Sequence, residues 1–238
     1  MRRRFAPALL LVAGLAVAPA AAPRLFSPAR VRLDGCLTPG PEVRILKLEG
    51  SRKSRFRAAI LGSGKHGVVL SNQSEADLCS WLPFARTLVA EGFAVLVYDY
   101  GNGTYRSEVT AASKALRRRG VRRVALIGSS QGAKVAMRAA WWTPARASAL
   151  VAISPERRLG GHDMAKDARH IRVPTLFVAS ADDPWGAGHA VRRFYRLSKA
   201  KRKRLIVQPG SDHGLELLAG PHSAELTDSI LAFLGAGA

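Results

Sequence analysis

A serine in a glycine-flanked turn is the residue of this chain best suited to nucleophilic chemistry. Ser130 lies at the centre of the motif Gly128-x-Ser130-x-Gly132, which follows an apolar β-branched run and precedes a helix-like sequence. A strand, a tight turn and a helix in that order hold a serine hydroxyl in a strained, accessible position. The backbone N–H of Gln131, at the start of the helix, is suited to stabilise an oxyanion. The motif therefore predicts a nucleophilic serine.

Two groups that could activate a serine follow later strands. The acidic pair Asp182 and Asp183 comes directly after one apolar run, and His213 follows another. Ligands of an α/β sheet bind at the carboxyl ends of its strands, so we expect these groups near Ser130. An imidazole accepts the serine proton, and a carboxylate orients the imidazole. A purely structural His213, or a role for His222 in its place, remains the alternative.

Apolar runs alternate with helix-like segments along most of the chain. The predicted strands are 43–48, 56–61, 67–71, 93–98, 124–127, 149–153, 175–179 and 204–207, and the predicted helices are 78–91, 107–119, 134–142, 188–198 and 224–234. This alternation predicts an α/β fold, with a mostly parallel sheet flanked by helices. The first two strands read as an opening antiparallel hairpin. The polar segment 155–172 is too short for a large cap domain and predicts a small flap.

The first residues have the pattern of a targeting segment. Three arginines at 2–4 precede an apolar run and then small residues, which is typical of a signal peptide over 1–22. A membrane anchor is the competing interpretation, but the apolar run is short for a span and contains prolines. We expect an N-terminal extension over 23–41 and one α/β domain over 42–238. The protein is therefore expected to be exported, either secreted or periplasmic and associated with the cell envelope.

The chain is strongly basic, with a formal net charge of +20. Clusters of Arg and Lys at 117–123, 169–172 and 199–204 each precede a predicted strand, so they should lie on the face opposite the active site. We expect this basic underside to dock on an anionic surface; ordinary solvated charges are the alternative. No specific nucleic-acid motif is present. The six histidines lack metal-ligand spacing, so no metal and no cofactor is expected.

The chain contains two cysteines, Cys36 and Cys79. One lies just before the opening strands, and the other lies near the start of the first predicted helix. In an exported protein a disulfide between them is expected. The alternative is a pair of buried thiols.

Three motifs resemble the α/β-hydrolase superfamily, in particular its lidless, dienelactone-hydrolase-like esterases. They are the glycine–serine motif at 128–132, the segment 173–184 and the segment 210–214 that contains His213. The resemblance implies that Asp183 is the catalytic acid, with Asp182 as the alternative, and that the backbone N–H of Gln73 is the second oxyanion donor. The chain departs from the family pattern at Asn72 and in the turn at 100–107. These departures leave the substrate class open.

Together these features predict an exported serine hydrolase that cleaves small carboxylic esters through an acyl-enzyme. Ser130, His213 and Asp183 are the expected triad, and no cofactor is involved. Thioesters, lactones and amides use the same chemistry. The alternative is a catalytically silent α/β-hydrolase fold that binds an anionic surface or polymer. The sequence does not indicate an oligomeric state.

Overall fold

The computed structural model describes residues 35–235. The strands are β1 Val43–Glu49, β2 Arg55–Leu61, β3 His66–Ser71, β4 Phe93–Tyr98, β5 Arg123–Ser129, β6 Ala149–Ile153, β7 Arg158–Leu159, β8 His162–Asp163, β9 Thr175–Ser180 and β10 Lys203–Gln208. The helices are α1 Leu82–Ala90, α2 Tyr105–Arg118, α3 Gln131–Ala140, α4 Ala165–Ala168, α5 Ala187–Leu197 and α6 Ser223–Gly235. The predicted signal peptide at 1–22 lies outside the described residues, so the domain boundaries stay predictions.

The main sheet contains eight strands in the order β1-β2-β4-β3-β5-β6-β9-β10. β1 pairs antiparallel with β2, and β2 pairs antiparallel with β4. From β4 onward every pairing is parallel. The predicted fold class and opening hairpin are confirmed. Because these strands are parallel, the carboxyl ends of β3, β5, β6, β9 and β10 lie at one edge of the sheet.

Helices cover both faces of the sheet because the central strands are apolar on both sides. In β5, Val124 and Leu126 pack into the core beneath α2, α3 and α5, whereas Ala125 and Ile127 pack beneath α1 and α6. Successive side chains of a strand point to opposite faces, so one short run serves two cores. Burial on both faces holds the carboxyl ends of the strands in fixed positions.

The segment between β6 and β9 forms a small hairpin of β7 and β8 followed by the short helix α4. A hydrogen bond connects this segment to the C-terminal end of α3. The indole nitrogen of Trp141 donates to the buried Asp167 at 3.0 Å. Within residues 35–235 no large cap domain is inserted in the fold, as the sequence predicted. Over the same residues, no helix has both the length and the apolar character needed to cross a bilayer.

The predicted disulfide between Cys36 and Cys79 is confirmed. The two Cα atoms lie 5.9 Å apart. The bridge joins the segment before β1 to a 3₁₀ turn, Leu78–Trp81, that leads into α1. Asp77 caps this turn, since its side chain accepts from the backbone N–H groups of Cys79 and Ser80.

Candidate active site

Ser130 lies at the sharp turn between β5 and α3. Its φ of 50° and ψ of −115° are a strained conformation for a residue with a side chain. A Cβ at Gly128 would collide with the backbone of Gly132, and a Cβ at Gly132 would collide with the carbonyl oxygen of Ser71. The two glycines are therefore needed for the turn to form. The tight turn places the serine at the carboxyl edge of the sheet.

His213 and Asp183 form a close pair beside this turn. The distance from His213 Nδ1 to Asp183 Oδ2 is 2.7 Å. Because Nδ1 is held by the carboxylate, Nε2 is the nitrogen left for the cleft. The backbone N–H of His213 also donates to Glu216 Oε2 at 2.9 Å, which fixes the segment that carries the ring.

The Asp183 side chain is completely buried. Burial alone would raise the pKa of this carboxyl, but hydrogen bonds from His213 and from the backbone N–H groups of Trp185 and Ala187 hold its pKa below the usual value. The group is therefore a carboxylate at neutral pH. Asp182, the alternative acid, is exposed, and its backbone N–H donates to Gly210. Of the two acids, only Asp183 contacts the imidazole.

The two predicted oxyanion donors belong to segments next to Ser130, namely the start of α3 and the loop after β3, the strand that pairs with β5. Gln131 is the first residue of α3, where backbone N–H groups lack helical partners. Gln73 follows β3, and its side-chain oxygen accepts from Ser129 Oγ at 2.9 Å and from the backbone N–H of Leu215 at 3.0 Å. These bonds tie Gln73 to both the serine turn and the histidine loop.

Glu156 is a site residue that the sequence analysis missed. Its Oε1 accepts from Ser130 Oγ at 2.8 Å and lies 3.7 Å from His213 Nε2. Its Oε2 is paired with the ammonium of Lys134, in the first turn of α3. Among the described residues, the Ser130 hydroxyl therefore bonds to a carboxylate rather than to the imidazole. The only sequence signal was position, because Glu156 follows the end of β6 as the other site residues follow their strands.

An open cleft of about 580 Å³ contains these groups. Its lining residues are Gln73, Ser74, Glu75, Ser130, Glu156, Pro184, Trp185, His213 and Glu216. The Trp185 side chain, 69% exposed, stands at its edge with the ring centroid 6.1 Å from that of His213. His222, the alternative histidine, lies in a different surface cleft beside Gln208. Within residues 35–235, no group of three or more metal-ligating side chains is assembled.

Several solved structures are similar to this chain. An esterase from Pyrococcus furiosus has a TM-score of 0.73 and 18% identity, over 82% of this chain and 90% of the esterase. A monoacylglycerol lipase from Paleococcus ferrophilus has a TM-score of 0.66 and 17% identity, over 77% of this chain and 99% of the lipase. A dienelactone hydrolase from Anabaena variabilis has a TM-score of 0.67 and 16% identity, over 82% of this chain and 98% of that enzyme.

No protein-family model and no curated protein sequence matches the chain. At identities this low, structural similarity establishes the fold and leaves the activity open. The similarity spans nearly the whole of the solved structures, and the strand order with its opening antiparallel hairpin agrees with the fold expected from the motifs. This protein therefore has the α/β-hydrolase fold of these esterases and dienelactone hydrolases.

Proposed function

We propose that this protein is an exported serine hydrolase that cleaves small carboxylic esters. The observation that carries the proposal is the convergence of the strained Ser130 turn with the His213–Asp183 pair in one open cleft. Ester hydrolysis by the structural neighbours supports the reaction class. Export rests on the signal-like pattern at 1–22.

The proposed reaction uses each group for one task. Ser130 Oγ attacks the ester carbonyl while His213 Nε2 takes its proton, and the backbone N–H groups of Gln131 and Gln73 donate to the developing oxyanion. The imidazolium then protonates the departing alcohol. Water hydrolyses the acyl-enzyme by the same route, so ester and water give acid and alcohol. Asp183 keeps the imidazole in the correct tautomer throughout.

The Ser130 hydroxyl must leave Glu156 before His213 can take its proton. The two acceptors flank the same region of the cleft, since Glu156 Oε1 lies 3.7 Å from His213 Nε2. A rotation about the serine χ1 bond, between staggered states, changes the acceptor without moving the backbone. Entry of substrate is expected to favour this change.

The absence of a large cap between β6 and β9 suggests an open substrate site. An open cleft encloses little of a long acyl chain, so short-chain aryl esters should be better substrates than emulsified long-chain triglyceride. The test measures both activities with the mature protein, against Ser130→Ala as background. Hydrolysis of triglyceride in preference to the short ester would contradict the proposed substrate class.

The second candidate is a binding module without catalysis. The net charge of +20 favours this function, because it exceeds what solubility requires. The pairing of Ser130 with Glu156 is also compatible with a silent site. The alternative predicts tight, salt-sensitive binding to an anionic surface and no ester turnover above the Ser130→Ala background.

A further inference from the structure

The cleft around Ser130 is acidic, although the protein is strongly basic. Three glutamates line it, namely Glu75, Glu156 and Glu216, and no lysine or arginine is among its described lining residues. Lys134, which is not a lining residue, forms an ion pair with the carboxylate of Glu156. The net charge of the chain is +20, so the sign of the cleft is opposite to that of the whole molecule. A cleft lined by carboxylates attracts a cation.

Glu156 presents one carboxylate oxygen to the reaction centre. Its Oε2 is held by Lys134, whose side chain is only 10% exposed, and the glutamate side chain itself is 19% exposed. The ion pair therefore fixes the carboxylate, while Oε1 faces the nucleophile at 2.8 Å. A fixed carboxylate oxygen beside a nucleophile is suited to recognise a donor group on the substrate.

The position of this oxygen indicates which substrate atom it can reach. When Ser130 Oγ attacks an ester, the carbonyl carbon comes within bonding distance of Oγ. The nitrogen of an α-amino acid lies about 2.5 Å from its own carbonyl carbon, as backbone bond lengths and angles require. An α-ammonium can therefore come within hydrogen-bond distance of Glu156 Oε1. The exposed face of Trp185, at the cleft edge, offers a second favourable contact for a cation.

We propose that the cleft is selective for α-amino acid esters, with Glu156 Oε1 binding the substrate's α-ammonium group. This inference rests on the proposed ester hydrolysis. The ammonium donates to Oε1 in place of the Ser130 hydroxyl, which is then free to donate to His213 Nε2. The Oγ–H proton passes to His213 as the Oγ–carbon bond forms, and it leaves with the alcohol. Glu156 thus couples recognition of a cationic acyl group to activation of the serine.

The test compares two esters that differ in one group. Glycine ethyl ester carries an ammonium where ethyl propionate carries a methyl, and both release ethanol. At about pH 7 most of the α-amino group is protonated. Because the ammonium also raises the intrinsic reactivity of the ester, the quantity to follow is the ratio of the two kcat/KM values in each variant.

Glu156→Gln keeps the shape of the side chain and removes its charge. We expect the ratio of kcat/KM for glycine ethyl ester over ethyl propionate to fall about tenfold to hundredfold, which is typical for loss of a charged hydrogen bond. The absolute turnover of ethyl propionate is not the readout, because the variant also removes the carboxylate that accepts from the Ser130 hydroxyl. The matched control is Glu225→Gln, an exposed glutamate of α6 outside the cleft, which should leave both esters unchanged.

Glu156→Gln leaves the buried Lys134 ammonium without its partner and could unfold the site. The double variant Glu156→Gln with Lys134→Met removes both charges and should show the same loss of the ratio. An unchanged ratio in a variant that still hydrolyses ethyl propionate would overturn the inference. Equal loss of both activities in the folded double variant would also overturn it, because Glu156 would then serve the reaction and not recognition.

The two proposals can fail separately. Hydrolysis of ethyl propionate above the Ser130→Ala background, with no effect of Glu156 on the ratio, would retain the ester hydrolase and reject the amino acid specificity. Wild-type protein that hydrolyses neither ester and does not react with a fluorophosphonate would reject both.

Discussion

The carboxylate of Glu156 lies between the two groups that must exchange a proton in the proposed reaction. The Ser130 hydroxyl donates to Glu156 Oε1 at 2.8 Å, while His213 Nδ1 lies 2.7 Å from Asp183 Oδ2. The described site therefore has a complete His–Asp pair and a serine engaged elsewhere. A substrate that competes for Glu156 would complete the triad.

Asp183 and Asp182 provide a matched pair of variants at neighbouring positions. Asp183→Asn removes the carboxylate from His213 Nδ1 and should lower kcat by about 10⁴-fold, because the imidazole loses its tautomer and orientation. Asp182→Asn alters an exposed side chain and should leave kcat near the wild-type value. Steady-state kinetics on a short aryl ester measures both. A larger loss for Asp182→Asn would reverse the assignment of the acid.

Most of the candidate site could be predicted from single residues because each follows a strand that the sequence marks clearly. Ser130, Asp183 and His213 have this property, and the motif around Ser130 adds the constraint of its glycines. The place of Glu156 in the site could not be predicted. The orientation of its side chain depends on the positive φ of 49° at Ser154 and on the ion pair with Lys134 of α3. Contacts between distant elements leave no local pattern in the sequence.

At the scale of elements, Glu108 of α2 holds the loop that follows β4. Its Oε1 accepts from the backbone N–H groups of Gly101 at 3.2 Å and Gly103 at 3.1 Å. Burial raises the pKa of the Glu108 carboxyl, although these hydrogen bonds act in the opposite direction. Its Oε2 is buried with no hydrogen-bond partner among the described residues.

Glu108→Gln should reveal this burial as a pH-dependent difference in stability. In the wild type the folded-state pKa is raised, so the contribution of Glu108 is fully present below the ordinary carboxyl pKa of about 4.3 and is lost as pH rises through the folded-state value. Glutamine does not titrate. Relative to the variant, the wild-type free energy of unfolding should fall as pH rises above about 4.3, as urea titrations can measure. A difference that is flat, or that rises with pH, would contradict the expectation.

The disulfide ties the segment before β1 to the turn that leads into α1. It joins residues separated by 43 positions, so replacing both cysteines with serine should lower the free energy of unfolding by about 4 kcal/mol in the chain-entropy model. Chemical denaturation of the two proteins measures the loss. Denatured, unreduced wild-type protein should contain no free thiol, and two free thiols would show that the bridge does not form.

The sequence predicted the elements better than their ends. Alternation in β1 and β2 and the two-faced pattern of β5 reflect burial, which the residue types record directly. The helix-like residue pattern begins only at 134, whereas α3 begins at Gln131, because the first turn contains the glycine required by the serine turn. The sequence predicts a helix from residue 78, whereas the structure has a 3₁₀ turn at Leu78–Trp81 before α1. Asp77 and the disulfide stabilise this turn, and neither contributes to hydrophobic periodicity.

At the scale of the whole molecule, the predicted basic underside remains a proposal, and two of its cations have structural roles. Arg117 donates to the carbonyl oxygens of Ala145 at 3.0 Å and Arg146 at 2.5 Å, and burial lowers its pKa. Lys203 donates to the carbonyl oxygens of Tyr195 and Ser198. Substituting these two residues would disturb packing as well as charge, so neither is suited to test docking.

Exposed cations near the amino ends of the strands provide a cleaner test. Reversing Arg118, Arg119, Lys201 and Arg204 to glutamate should weaken binding to vesicles of anionic phospholipid and reduce the dependence of binding on salt. Turnover of a small soluble ester should not change, because the cleft lies at the opposite ends of the strands. Co-sedimentation and esterase assays measure the two properties.

The matched control reverses four exposed cations elsewhere, Arg52, Lys53, Arg55 and Arg86, and makes the same change in net charge. Equal loss of vesicle binding in both variants would show that net charge, and not a basic underside, determines binding. Loss of ester turnover with the first variant alone would contradict the separation of the two faces.

Covalent labelling shows whether Ser130 is an activated nucleophile. The purified protein is incubated with a fluorophosphonate probe, and the modified residue is identified by mass spectrometry, with Ser130→Ala as the control. We expect one adduct on Ser130, slower labelling of His213→Ala and no labelling of Ser130→Ala, because only a serine activated by the imidazole reacts readily. Folded protein that acquires no adduct on Ser130, or that is labelled equally after Ser130→Ala, would show that Ser130 is not an activated nucleophile.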